Sequence, residues 1–347
     1  MPQLIDATDR EVWNAKLARI GEVDATCLAA YHLAYALRVP QSRAVLWHYS
    51  LEGQELVYPF LLTPVILGGV DTGLFDISSA YGYTGPLATT QAPDFLQQAW
   101  QAFDTFAVER NLVAEFIRFS PFNRNEHLAH PLTTVLPNRD LAVTHLPSNE
   151  VALRGTLGPK TRNMLRKAER EGLVHRELPL PDHLPAFRAL YEETMRRNNA
   201  PEFFWYDDAY WNHLLALGSH GLRLFGVYAG PQLVAAAMAV AHGRSGLYHL
   251  GASLTEYAKL GAGNLSLYAM SCGLMASGVT FLNMTGGRSA RADDPLLLFK
   301  RSNANSTAVF HIGKRVLNIA AYNGLSAQWQ RQHGHEPDAD KIIFWRK

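Results

Sequence analysis

Cysteine is nearly absent from this sequence: Cys27 and Cys272 are the only two in 347 residues. Two lone thiols cannot build a disulfide framework or a thiolate zinc cage, which fits a reducing compartment. Charge is also scarce, because Asp, Glu, Lys and Arg make up 18% of the chain, against about a quarter in an ordinary globular protein. Together with 48% hydrophobic residues, this excludes wholesale disorder and implies many buried positions. The best apolar run, LVAAAMAV at 233–240, is far short of the ~20 residues that span a bilayer. The N-terminal MPQLIDATDREVW has no basic-then-apolar signal pattern, so the expectation is a cytoplasmic protein without a transmembrane segment. Familiar catalytic signatures are missing too: there is no G-x-S-x-G elbow, no H-E-x-x-H and no P-loop. His127 with His130, and His333 with His335, have ligand-like spacing but no third ligand nearby, so no metal is expected.

What is present is unevenly distributed. Residues 1–150 carry 9 basic and 16 acidic side chains and residues 151–347 carry 23 and 15, so the net charge of +1 is the sum of −7 and +8. The second half is the one suited to an anionic ligand.

Local patterns divide the chain in the same place. In the first half, AVLWHYS (44–50) and ELVYPFLL (55–62) alternate as strands around a Leu-Glu-Gly-Gln turn, which predicts a hairpin. Helical periodicity follows over 93–111, and AEFIRFS (114–120) reads as a further strand. The polar segment 138–150 is the expected linker, giving domains of 1–150 and 151–347. The second half opens on a helix between Pro159 and Gly172 whose Arg162, Arg166 and Arg170 share one face. A second helix is expected from an N-cap at Asp182. Strands at 222–228, 233–242 and 247–253 then form a meander, followed by a glycine loop, a helix over roughly 263–277 and a strand at 279–284. No short-period repeat occurs, which excludes solenoids and propellers.

Three features carry chemistry. The loop KLGAGN (259–264) before a helix would point backbone N–H groups at an anion; a plain tight turn uses the same glycines. Acetyl-CoA-dependent enzymes of the GNAT acyltransferase superfamily have a Q/R-x-x-G-x-G/A loop in this role. Gly261 and Gly263 match its glycines, while Ala258 stands where Gln or Arg should be. The arginine stripe suits phosphate oxygens, or is a solvated helix face. In MTGGRSARADDPLLLFKRSNA (284–304), two glycines after a strand permit close backbone approach, Asp293-Asp294-Pro295 can start a helix, and Leu296–Phe299 would bury one face of it. That places Lys300 in a partly dry site, where a fixed positive charge stabilises the oxyanion of acyl transfer; a surface lysine at a helix end would satisfy the same spacing.

The order YGYTGPL, KTRNMLRKAEREG, LYEETMRRN, LYHLGASLTEY and MTGGRSARADDPLLLFKRSN resembles the Fem-type peptidoglycan bridge-forming aminoacyltransferases and their acyltransferase relatives, from about residue 13 to about 325. The resemblance implies an α+β chain of two tandem GNAT-like domains, each a mixed, mostly antiparallel sheet flanked by helices, with acyl transfer to an amine in a groove between them. It implies aminoacyl-tRNA as donor, a nucleotide- or lipid-linked peptidoglycan precursor as acceptor, and no tightly bound cofactor; the alternative is an acyl-CoA-dependent N-acyltransferase acting on a small amine or envelope sugar. Lys300 then matches the lysine of charge stabilisation and Arg197 a residue binding the precursor's diphosphate, with Arg162 of the basic helix assisting. Tyr81, Tyr83 and Tyr248 would line the acceptor groove, and Gly286 and Gly287 match the glycine turn beside the site. Asp76 in DISSAYGY is the candidate base, or a residue that caps a turn. The sequence departs from the family where Gly85-Pro86 is followed by Leu87, Ala88 and Thr89 rather than by an acid three residues on, and it lacks a long helical arm. The third reading is a precursor-binding protein without catalysis.

Overall fold

The hairpin expected in the first half forms as β2 (Arg43–Leu51) and β3 (Gln54–Leu67), in register from Arg43↔Leu62 to Leu51↔Gln54. Its two-residue turn is Glu52-Gly53, both at positive φ (50° and 78°), the geometry that matches the twist of paired strands. The computed structural model describes residues 2–289 and 291–346; Met1, Ala290 and Lys347 lie outside the described residues, and Ala290 belongs to the 284–304 segment discussed above. The chain forms two compact units, Met1–Asn138 with Phe310–Lys347, and Arg139–Val309.

In the first unit β1 (Gln3–Asp6) pairs with β2, and β3 pairs with β4 (Val70–Ser78) and with the short β5 (Leu87–Ala88), all antiparallel. Helices α1 (Arg10–Ile20) and α2 (Ala29–Ala36) precede the hairpin. The predicted helix is α3 (Pro93–Glu109), and β6 (Leu112–Arg118) then runs parallel to β4. Phe95, Ala99, Trp100, Phe103 and Phe106 form the inward stripe of α3 and close on Trp47, Tyr58 and Phe60 of the hairpin.

The second unit has a similar chain order. Segment 138–150 is not a linker: β7 (Thr134–His145) occupies most of it, because its residues 141–143 are buried hydrophobics. Helices α4 (Glu150–Thr156) and α5 (Pro159–Arg170) follow, with Gly172 beyond α5 at φ 76° as its punctuation requires. After β8 (Leu173–Leu178) comes α6 (Leu184–Arg197), whose N-cap is His183 rather than Asp182 and whose first turn contains Pro185. Helices α7 (Asp208–Leu215) and α8 (Gly218–Gly221) lead into the meander β9 (Leu222–Ala229), β10 (Gln232–His242) and β11 (Ser245–Ser253). The alanine-rich β10 is buried from Val234 to Ala241, its small side chains leaving room for elements packed on it. Helix α9 (Ala262–Ala276), β12 (Phe281–Thr285) and α10 (Pro295–Ser302) complete the unit. Its strand order is β7, β12, β11, β10, β9, β8, with β11 and β12 the single parallel pair among the described residues.

Beyond it, β13 (Ser306–Val316) pairs through residues 312–316 with β6 of the first unit, and α11 (Ile319–His333) follows. Leu325, Ile342, Phe344 and Trp345 cover Val65, Leu67, Val113 and Ala114. The last segment therefore belongs to the first unit and not to a domain 151–347, because these apolar side chains are buried there. Each unit is a mostly antiparallel sheet flanked by helices, as the family resemblance implies.

Candidate active site

In both units a strand, a helix and a second strand parallel to the first follow the hairpin strands, yet the parallel pairs end differently. In the first unit, β4 and β6 stay paired to Ser78↔Phe116, and Ser79 N and Thr84 N continue the bonding to Phe116 and Arg118 carbonyls at 3.0 and 2.7 Å. In the second, pairing stops at Leu247↔Asn283 although β11 runs on to Ser253. A bulge in the β10–β11 ladder marks the parting, since Met238 faces Leu250 and Ala239 faces Tyr248 with His249 left over. His249 Nε2 hydrogen-bonds the Tyr210 hydroxyl at 2.8 Å, and burial pushes its pKa down to about 3, so it is a neutral ring at any ordinary pH.

Tyr248 sits where the fork opens. Its hydroxyl lies 1.8 Å from where a Cβ on Gly251 would be, so only glycine at 251 allows this ring to lie along the strand. Burial raises the phenol to about 12 and keeps it neutral.

The lysine is delivered to the same fork by a chain of local constraints. Asp294 caps α10, accepting from Leu296 N and Leu297 N at 3.0 Å and from Ser289 N and Oγ at 2.9 Å. These amide bonds, Leu297's first, hold its carboxyl far below the usual range. Gly287 makes room for that cap, since a Cβ there would meet Asp294 Oδ1 at 2.4 Å. Two turns on, Lys300 is 6% exposed and its Nζ donates to Thr285 Oγ1 at 2.5 Å and to the Gly286 carbonyl at 2.8 Å. The ammonium lies 5.4 Å from the centroid of the Tyr248 ring. Desolvation lowers its pKa to about 7, with Asp294 pulling the other way. The site is drier than the sequence predicts and for a different reason. Of the run 296–299 only Leu297 is buried, while Leu298 and Phe299 are exposed.

Thr285 is the residue that the sequence concealed. Its φ is +65°, an outlier for a β-branched side chain and worth about 1–3 kcal/mol of strain. The ladder to β7 shifts register there, and Thr285 N bonds Asn283 Oδ1 at 2.8 Å. Asn283 is 1% exposed, and its Nδ2 has no hydrogen-bond partner among the described residues. No sequence signal marks a left-handed threonine, since that conformation is ordinarily left to Gly, Asn or Asp.

The other predicted residues fall into three groups. Lys300, Tyr248, Gly286 and Gly287 come together at the fork. Tyr81 and Tyr83 lie in the first unit's 79–86 loop, which is sewn by hydrogen bonds. Tyr31 donates to the Tyr81 carbonyl at 2.7 Å, Thr26 to that of Tyr83, and Asn125 to those of Thr84 and Pro86 at 3.1 and 2.8 Å. Arg197 is exposed at the end of α6.

Three assignments change. Asp76 cannot serve as an accessible base: it is fully buried and accepts from Trp345 Nε1 at 2.7 Å and from the Arg346 guanidinium. It anchors the last segment instead, with desolvation raising its pKa to about 6 against the opposing pull of Arg346 and Trp345. Arg162 turns inward, donating to the Leu157 carbonyl at 2.5 Å beyond the end of α4. Gly261 is a packing glycine at φ 86°, where a Cβ would lie 2.6 Å from the Met164 carbonyl of α5 and a Cβ on Gly263 would lie 3.4 Å from Phe299 Cζ.

Residues 159–293 match a protein-family model described as an acetyltransferase (GNAT) domain, a span that holds the fork and ends short of Lys300. Among solved structures, the chain is similar to FemX at 14% identity and a TM-score of 0.70, covering 93% of this chain and 99% of that one. It is also similar to the C-terminal domain of a protein described as a lysylphosphatidylglycerol synthetase from Agrobacterium fabrum (15%, TM-score 0.59, 94% and 96% covered). The L-PGS structure from Bacillus licheniformis gives 14%, a TM-score of 0.57 and 94% and 98% coverage. No curated protein matches the sequence. Among the described residues, no helix is long and apolar enough to cross a membrane.

Proposed function

We infer the function from one premise, that this chain is a GNAT-type acyltransferase sharing its fold with FemX. The reading it supports best is transfer of an aminoacyl group from aminoacyl-tRNA to an amine of a nucleotide- or lipid-linked peptidoglycan precursor. The observation that carries it is Lys300, a buried cation at the sheet's open fork. In the reaction, a neutral amine attacks the ester carbonyl, a C–N bond forms and the carbonyl oxygen becomes an oxyanion that Lys300 stabilises. Collapse breaks the C–O bond, and the ribose hydroxyl leaves with the proton the amine gives up. A prealigned donor in a low-dielectric site is worth ~10²–10³ in rate for such a step.

The glycine loop supports tRNA over acyl-CoA as donor. At the N-terminus of α9, Gly261 and Ala262 are buried with the Met164 carbonyl oxygen packed against Gly261, while Gly263 and Asn264 are half-buried. This is a poor setting for a diphosphate. The name of one structural neighbour, a lysylphosphatidylglycerol synthetase, also describes an amino acid joined to an acceptor.

The test is to incubate the protein with charged tRNA or acetyl-CoA, each with a UDP-linked muramyl pentapeptide, and to look for amide product. Product from charged tRNA alone supports the reading; product from acetyl-CoA alone overturns it. Precursor binding without turnover from either donor indicates a binding protein. Arg197 is the candidate diphosphate ligand, being exposed at the end of α6 in the basic half of the sequence. Arg197→Ala should weaken calorimetric affinity for the precursor about tenfold, the value of one charge-assisted contact; unchanged affinity rejects the assignment.

A further inference from the structure

We propose that Thr285 is the positioning residue of this site, its left-handed backbone turning its hydroxyl onto Lys300 so that the ammonium is held in one orientation with one N–H left for the reacting carbonyl. This rests on the reading of Lys300 as the oxyanion's partner. An ammonium has three donors and no acceptor. One N–H goes to Thr285 Oγ1 and one to the Gly286 carbonyl, while the Tyr248 ring offers a π face at 5.4 Å. Without Thr285 Oγ1, two donors would share a single fixed acceptor and the side chain could rotate about its last bonds.

The backbone supports the assignment independently. A threonine at φ +65° persists only where its surroundings over-determine it. Here the Asn283 Oδ1 bond to Thr285 N and the register shift against β7 do so, at the point where β12 leaves β11. Glycine would adopt this conformation without strain, but it has no hydroxyl. Threonine is thus the costlier residue for the fold and the useful one for the lysine.

Among the described residues, the charged groups around Lys300 include Arg139 of β7, whose side chain lies 3.7 Å from where a Cβ on Gly286 would be. Asp294 caps its own helix and Tyr248 projects from β11 as a neutral phenol. On the next residue Arg301 pairs with Asp140 of β7 at 2.5 Å. From α9 and α5, the neutral Asn264 donates to Asn303 Oδ1 at the end of this helix and the neutral Thr161 to the Ser302 carbonyl. Thr285 therefore stabilises the charged form of Lys300 chiefly against desolvation.

The experiment compares Thr285→Val, Thr285→Ser and Thr285→Gly with wild type in two ways. The first is titration of the Lys300 Cε resonance in ¹³C-lysine-labelled protein, assigned by its absence in Lys300→Met, and it needs no substrate. Thr285→Val should move the midpoint about one unit to lower pH, the weight of one hydrogen bond to the charged form, and Thr285→Ser should restore it. The second is turnover with charged tRNA and the UDP-linked precursor. Here Thr285→Val should lower kcat at least tenfold with KM changed less than about twofold, and its alkaline limb should move down in pH with the resonance. Thr285→Gly should match Thr285→Val in both readouts while melting no lower than wild type. An unmoved resonance in Thr285→Val, or a serine variant that fails to restore it, overturns the proposal. So does a normal kcat in Thr285→Val where Lys300→Met is inactive. Full activity of Lys300→Met instead overturns the reading of Lys300 itself.

Discussion

Lys300→Met should lower kcat by about two to three orders of magnitude, with little change in KM, and should at the same time raise the melting temperature. The first effect follows from removing a donor that acts where charge develops in the transition state. The second follows from linkage. Burial takes the lysine from its ordinary 10.5 to about 7, so the unfolded chain binds more protons than the folded one between those values. Stability must then rise with pH across that window. Below pH 7 the folded protein holds a buried ammonium at a cost on the order of 5 kcal/mol, an upper figure drawn from the shift. Methionine removes that cost but leaves Thr285 Oγ1 and the Gly286 carbonyl without their donor, so a net gain of roughly 1–2 kcal/mol is expected. The gain should be full below pH 7 and fade toward pH 10. Thermal melts of both proteins at pH 6, 8 and 10, beside steady-state kinetics, check the paired outcome. A variant that loses activity and stability together would show Lys300 to be a structural residue.

Truncation after Lys341 should leave the first unit unable to fold. The lost segment includes Ile342, Phe344 and Trp345, buried on strands β3 and β6 and helix α11, and burial of three such side chains is worth roughly 5–8 kcal/mol. It also strips Asp76 of both its donors. Because stability for a whole domain is about 5–15 kcal/mol, expression should give aggregated or protease-sensitive protein. The single change Arg346→Ala isolates the electrostatic part. It leaves Asp76 as a buried carboxylate without its cation, a cost of about 3 kcal/mol. The sign with pH is opposite to that of Lys300. Asp76 has its pKa raised from 3.8 to about 6, and without Arg346 it rises further, so the folded variant takes up a proton that the unfolded chain does not. Its deficit should therefore shrink as pH falls from 7.5 to 5, as denaturant titrations at the two values would reveal. An equal deficit at both would mean that Asp76 is not the group concerned.

Both results bear on how the chain uses its rare charges. Asp76 reads as a candidate base in the sequence because it precedes the SSAYGY motif, and nothing in one sequence reveals that its partners lie some 270 residues away. Arg162 shows the same limit at short range. Its spacing from Arg166 and Arg170 is a face of a helix, but the carbonyl end of α4 claims its guanidinium. Local rules did better where the physics is local. The Glu52-Gly53 turn, Pro159 and Gly172 at the ends of α5 and the Asp294 cap each act within a few residues, and each is found where its chemistry requires.

The sequence by itself therefore determined the hairpins and helices, the basic second half and the helix that carries Lys300, since hydrophobic period, turn residues and caps all work over one or two turns of chain. The family resemblance extended this to two similar units. Only the tertiary structure decided which unit is open, how dry Lys300 is and what holds it. Those depend on where β11 parts from β12, on a threonine forced to φ +65° and on a tyrosine lying over a glycine. Each is a contact between segments distant in sequence, set by packing, and no periodicity encodes it.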